Sequence, residues 1–270
     1  MSLWKTREYK PEDVPELVGL WLSNFEDTES FVRDFHEALP GLGSAVVAEL
    51  EEKIIGAAYT LNGQELCIPG EIPQPLGFLY GVSVDREYRR HGVGADVVSA
   101  ACELSKELGA ETVGILPARA PLYDWYGKVL GMEHTLFRRV ERISAVSAGS
   151  CTAISAAEYQ QKREALLDGS AHVRLNAASM DFAKTLMTDY GGNLYAVGGG
   201  VAAAYIDGGC ALIRELILPD ETGLYSAAAS LAYAMGVEEA RLYLPSTSGD
   251  RYILSDRALP DGCVWNLSFD

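Results

Sequence analysis

The sequence predicts an α/β (α+β) protein made of two tandem domains with the same order of elements. Three observations predict it. Apolar, strand-like runs alternate with segments of helical periodicity along the chain. The pattern of residues 44–116 returns in residues 193–244. Between the halves, Ile143 to Ala157 is small and polar, as a linker is. The expected division is residues 1–143 for the first domain, 144–157 for the linker and 158–270 for the second.

In the first half, Asp13 to Phe25 places Val14, Leu17, Val18, Trp21 and Leu22 on one helical face. Thr28 to Leu39 predicts a second helix, stopped by Pro40–Gly41. Ser44 to Leu50 and Lys53 to Leu61 read as a hairpin across Glu51–Glu52. Asn62 to Pro75 is rich in Gly and Pro and reads as a loop. Leu76 to Asp85 is a third strand, and Ala95 to Leu108 a helix with Gly109 at its C-cap. Thr112 to Leu116 predicts a strand, Pro121 to Leu130 a short helix and Glu133 to Arg142 a last strand. In the second half, Ser179 to Tyr190 reads as a helix. Asn193 to Val197 and Val201 to Ile206 form a hairpin across Gly198–Gly199–Gly200, and Cys210 to Leu218 is a strand. Thr222 to Met235 is a helix closed by Gly236, and Arg241 to Leu244 a strand. "ADVVSAACELSKELGAETVGILP" and "GLYSAAASLAYAMGVEEARLYLP" align down to the glycine at the helix end and the proline after the strand. Two similar domains in one chain is the simplest account of this repeat.

Composition narrows the function. Of 270 residues, 48% are hydrophobic and 22% charged, a globular profile, and no apolar run could span a bilayer. Met1 to Lys10 has no apolar signal core, which predicts a cytoplasmic protein. The net charge of −16 argues against nucleic acid as a partner and leans toward a cationic substrate. The cysteines Cys67, Cys102, Cys151, Cys210 and Cys263 are scattered, with no pair at metal-ligand spacing, so buried thiols and no metal are expected. His36, His134 and His172 are isolated as well.

The chemistry concentrates in "VSVDREYRRHGVGA", Val82 to Ala95. An apolar strand runs through a short loop into a helix start, and the loop carries Arg89, Gly92 and Gly94. Glycines let backbone N–H groups approach an oxyanion closely. The free N–H groups and dipole of the helix favour negative charge there, and Arg89 and Arg90 add positive charge. By itself this is an anion site; a tight turn with solvated arginines fits the residues equally well. The glycine spacing is not that of a dinucleotide fold, and the phosphate-binding lysine of nucleotide hydrolases is absent.

"GVSVDREYRRHGVGADVV" resembles the central motif of the GNAT (Gcn5-related N-acetyltransferase) superfamily, in which a strand and an acidic turn precede R/Q-x-x-G-x-G/A. Arg89, Gly92 and Gly94 match its positions. "LYDWYGKVLGM", Leu122 to Met132, is similar to the family's next signature, with Trp125–Tyr126 as the aromatic pair and Gly131 as the glycine. Met132 replaces an aromatic, and Tyr126 stands one residue further from Gly131 than is usual. The resemblance covers Lys5 to Arg142 and implies a mixed, mostly antiparallel sheet flanked by helices in each domain. It also implies acetyl-CoA as co-substrate. The diphosphate would sit on Arg89, Arg90, His91, Gly92, Val93, Gly94 and Ala95, and the pantetheine arm on the backbone of Val82, Ser83 and Val84. A primary amine would then attack the acetyl group directly, with Tyr126 as the acid that protonates the thiolate and Tyr123 as a CoA contact or its substitute. Relatives carry a Glu on the central strand where this chain has Leu79–Tyr80–Gly81, so the base is open among Glu26, Asp27, Glu71 and His91. The second copy has "PDETG", Pro219 to Gly223, in place of the motif, and its acids would repel a diphosphate. It is expected to be a degenerate copy that shapes the acceptor cleft and takes the place of a dimer partner. A monomer of that kind and a homodimer both fit. The leading expectation is an N-acetyltransferase without nucleic-acid or membrane partners; the alternative is a catalytically silent acetyl-CoA sensor.

Overall fold

The computed structural model describes residues 3–147 and 149–269. Met1, Ser2, Ala148 and Asp270 lie outside the described residues, so the outer ends of both expected domains and one linker position do too. The fold is mixed α/β with mostly antiparallel strand pairing and flanking helices. Two compact units make it up, and they interleave in sequence. The first contains Met1–Glu65, Pro73–Thr135 and Ile253–Leu259; the second contains Leu66–Ile72, Leu136–Tyr252 and Pro260–Asp270.

The first unit runs β1 (Lys5–Glu8), α1 (Val14–Leu22), α2 (Glu29–Leu42), β2 (Gly43–Leu50), β3 (Lys53–Cys67), β4 (Gln74–Val84), α3 (Val93–Glu107), β5 (Thr112–Ile115) and α4 (Ala120–Leu130). Its strands lie in the order β1-β2-β3-β4-β5. β1–β2 and β2–β3 are antiparallel, and β4–β5 is parallel. Leu254 and Ser255, from near the chain end, pair antiparallel with Ile115 and Gly114 and so add a strand beyond β5. Asp256 fastens that strand by accepting the Val113 N–H at 2.8 Å and pairing with Lys106 at 2.9 Å. Packing decides what each face of the sheet buries. α3 lays Val93, Val97, Val98 and Ala101 against Val46, Ala48, Ile55 and Leu79. Strand residues alternate faces, so Tyr59 and Tyr80 instead join Trp21 of α1 and Phe35 and His36 of α2 in an aromatic cluster, with ring centroids 5.0–6.1 Å from Trp21.

The second unit contains β6 (His134–Ser144), β7 (Cys151–Ala153), α5 (Ala156–Leu167), β8 (His172–Leu175), α6 (Ala177–Asp189), β9 (Asn193–Val197), β10 (Gly200–Asp207), β11 (Cys210–Ile217), α7 (Leu224–Ala234), β12 (Glu239–Ser246) and the start of β13 (Asp250–Ser255). Strand order is β6-β12-β11-β10-β9-β7, with only β11–β12 parallel among these neighbours. α7 buries Ala228, Leu231 and Ala232 on Ala202, Ile213 and Leu242. A fully buried ion pair joins α5 to the sheet: Arg163 donates to Glu215 at 2.8 and 3.1 Å, and the Tyr159 hydroxyl donates to the same carboxylate at 2.7 Å.

Several sequence expectations need correction. α2 does not stop at Pro40; it continues to Leu42, because a proline in the last turn forgoes only one helix hydrogen bond and its φ is helical. Residues 62–75 are not one loop. β3 extends to Cys67, alternating buried Gln64 and Leu66 with half-exposed neighbours, and β4 begins at Gln74. Residues 151–153 of the expected linker pair with β9, and α5 starts at Ala156, capped by the Ser155 hydroxyl accepting from the Glu158 N–H.

Candidate active site

The site grows from the end of β4. β5 is short, and its pairing with β4 covers only Leu76–Leu79 opposite Thr112–Ile115. Beyond Leu79 the β5-side edge of β4 has no strand beside it among the described residues. Backbone groups of successive strand residues face alternate edges. The Asp85 N–H donates to the Ile55 carbonyl of β3, so Ser83 faces β3 too, whereas Val82 and Val84 face the open edge. Of the three residues expected to pair with a pantetheine arm, two are therefore turned to receive it. Gly81, just before them, holds φ +55°, and a side chain there would collide with Trp21 and Tyr59.

The chain then makes a two-part turn. Asp85 accepts from the Glu87 N–H at 3.0 Å and opens a short 3-10 turn, Arg86–Tyr88. Arg89 to Gly92 follow before α3 starts at Val93. Gly92 is left-handed, φ +99°, and Arg90 is as well, φ +65°. The first intrahelical bond of α3 runs from the Asp96 N–H to the Gly92 carbonyl, and no side chain caps the helix. The N–H groups of Val93, Gly94 and Ala95 are thus the free donors every uncapped helix start presents. Arg89, Arg90, His91 and Gly92 are exposed, Gly94 and Ala95 half-buried, and Val93 buried. The Arg89 guanidinium does not reach over this helix end. It donates to the Val84 carbonyl at 3.2 Å and to Asn24 Oδ1 at 2.7 Å, so the anion-binding capacity belongs to the backbone.

Tyr126 projects from α4 into the cluster that holds Val82, Val84, Val93 and Tyr123. It is 5% exposed, and no described residue makes a hydrogen bond to its hydroxyl. Burial pushes its pKa up, which keeps the phenol protonated. Trp125 packs edge-on to it at 4.7 Å. The four candidate bases are not gathered. Glu26 and His91 are exposed, Asp27 accepts from Trp21 Nε1 at 2.8 Å, and Glu71 lies in the second unit. Sequence reasoning passed over a buried pair, Tyr59 and His36. His36 Nε2 meets the Tyr59 hydroxyl at 2.8 Å and its Nδ1 meets the Val32 carbonyl at 2.7 Å, while burial lowers the imidazole pKa and favours the neutral ring. Their spacing in sequence gave no sign of contact.

A helix start fed by an open strand edge is the arrangement expected around a bound thioester cofactor, and the sequence matches accordingly. Residues 5–128 fit the family model described as an acetyltransferase (GNAT) domain. This stretch of the chain is a GNAT domain. No curated protein matches the chain. Solved structures extend the likeness to the whole fold. A GCN5-related N-acetyltransferase from Kribbella flavida superposes with a TM-score of 0.68 at 15% identity, over 94% of this chain and 71% of that one. One from Anabaena variabilis gives 0.63 at 14% identity, over 93% and 72%. At such identities the fold is what is shared.

Outside the GNAT domain, a pocket of about 580 Å³ lies in the second unit beside the start of α7, lined by Val197, Gly198, Leu218, Asp220, Ser226 and Ser230. It has no arginine and carries a carboxylate at the helix start, so it lacks the features of the donor turn. Among the described residues no group of three or more His, Cys, Asp or Glu could hold a metal, all five cysteines are free, and no helix is long and apolar enough to cross a membrane.

Proposed function

We propose that the protein is an N-acetyltransferase that moves the acetyl group of acetyl-CoA to a primary amine in a ternary complex. The diphosphate rests on the N–H groups from Arg90 to Ala95, and the pantetheine amides pair with Val82 and Val84 as an added strand. The amine nitrogen attacks the thioester carbon, the N–C bond forms and the C–S bond breaks. The departing sulfur takes its proton from the Tyr126 hydroxyl. The amine's own proton leaves through water, since no carboxylate stands at Leu79–Gly81. The acidic chain favours a cationic acceptor, and the second unit is a degenerate copy without a donor site. The observation that carries this reading is the β4 edge that opens after Leu79 and leads straight into the uncapped start of α3.

Titration calorimetry with acetyl-CoA, followed by a thiol-release assay on a panel of amines, tests the proposal. Binding with turnover on at least one amine supports it; no binding refutes it. A specific observation favours a second reading, a silent acetyl-CoA-binding protein: Tyr126 is enclosed and the strand carboxylate is missing. Binding without turnover on any amine selects that reading.

A further inference from the structure

Arg89 and Asn24 connect two loops that are distant in sequence. Asn24 closes α1: its Nδ2 donates to the Leu20 carbonyl at 2.8 Å, and its own N–H and that of Phe25 bond the Trp21 carbonyl at 2.8 and 2.9 Å. Its Oδ1 is left to accept from Arg89 Nη2 at 2.7 Å. Arg89 Nε holds the Val84 carbonyl, and Arg86 Nη2 reaches the Ser23 carbonyl at 3.4 Å. Both arginines of the donor turn therefore grip the end of α1. The connection they grip, residues 23–28, carries Phe25 and Asp27, which hold Trp21 by a ring contact at 5.2 Å and a hydrogen bond at 2.8 Å. Trp21 in turn faces Tyr80 at 5.6 Å and closes over Gly81, directly before the open edge of β4.

We propose that Asn24 is a positioning residue through which filling of the donor turn orders the α1–α2 connection and, with it, the wall beside the reacting carbonyl. The inference rests on the donor-site reading above. The turn contains two left-handed residues, Arg90 and Gly92, and fixing an anion on its N–H groups fixes the Arg89 backbone. A rigid Arg89 then holds Asn24, and the acceptor meets a wall whose ordering cost has already been met, which is positive coupling without a large movement.

The test is hydrogen–deuterium exchange on the full chain with and without CoA, with calorimetry of CoA on the same samples. In the wild type, CoA should slow exchange at Asn24 and Phe25 by about fivefold, the scale of one partly exposed charge-assisted hydrogen bond. Asn24→Ala should lose that protection while binding CoA within about twofold of wild type, because no donor-site N–H is altered. Asn24→Asp should restore it: aspartate keeps the acceptor for Arg89 and loses only the donor to Leu20. Both positions are at the surface, so both variants should fold. Equal protection in wild type and Asn24→Ala overturns the proposal, as does no protection in a wild type that binds CoA. An Asn24→Asp variant that behaves like Asn24→Ala overturns it too, since capping of α1 would then explain the effect. Absence of CoA binding to the wild type, seen in the calorimeter, is the separate failure of the donor-site reading and takes this proposal with it.

Discussion

The two units build the same scaffold and differ at one turn. In the first, β4 leads into α3; in the second, β11 leads into α7, and each of these strands pairs in parallel with the next for only a few residues. Each turn opens with an aspartate that accepts a backbone N–H two residues on, Asp85 from Glu87 and Asp220 from Thr222. There the likeness ends. After its 3-10 turn the first unit inserts Arg89, Arg90, His91 and Gly92 before the helix, whereas the second passes from Gly223 straight into α7. Gly92 is left-handed and Gly223 is not, with φ +99° against −85°. β5 is followed by α4 with Tyr126, and β12 is followed by β13 with no helix between. An open strand edge is thus a property of the scaffold, while an anion site depends on the insertion and an acid on the added helix.

That contrast can be broken in four ways. The largest effect is expected from Tyr126→Phe, which should lower kcat by about a hundredfold to ten-thousandfold, the range for loss of a general acid, with acetyl-CoA affinity unchanged. Burial raises the Tyr126 pKa, so the acid form persists to higher pH than a free phenol's, and wild-type kcat should show no loss from this group up to about pH 10. Arg163→Met would leave Glu215 buried without its partner. Chemical denaturation should then show a loss of roughly 3–5 kcal/mol of stability in the second unit, the usual cost of breaking a buried pair from one side. If the donor site belongs to the first unit alone, acetyl-CoA titrated under native conditions should bind this variant as it binds the wild type.

Excising Arg89 to Gly92 gives the first turn the length of the second. Loss of several charge-assisted backbone contacts should weaken acetyl-CoA by roughly a hundredfold. The smallest effect is expected from the converse graft. Inserting Arg-Arg-His-Gly between Gly223 and Leu224 should give a second site at least about tenfold weaker than the first, because Asp220 and Glu221 still face it. A graft that bound as tightly as the native turn would show the acids to be irrelevant.

Local chemistry made much of this fold legible. Glycines at helix ends and the apolar run into the Arg89–Gly94 turn are signals carried within a few residues, and β9, α3 and α4 fall within two residues of expectation. The missed elements lack such signals. β1, β7 and β8 are three or four residues long, too short for alternation to register. α5, "AAEYQQKREALL", buries Tyr159 and Arg163 around a charge from another strand, so its inner face does not read as apolar. The addition of Ile253–Leu259 to the first sheet is a long-range event that no local pattern announces. At the site, the donor motif was legible and the direction of the Arg89 side chain was not. It depends on Asn24, 65 residues earlier.

The most direct measurement of the central claim is the stoichiometry of acetyl-CoA binding to the intact chain by titration calorimetry. One site per chain, weakened by excision of Arg89 to Gly92 and indifferent to Asp220→Ala, is the result expected. Two sites per chain, or a single site that survives the excision, would contradict it.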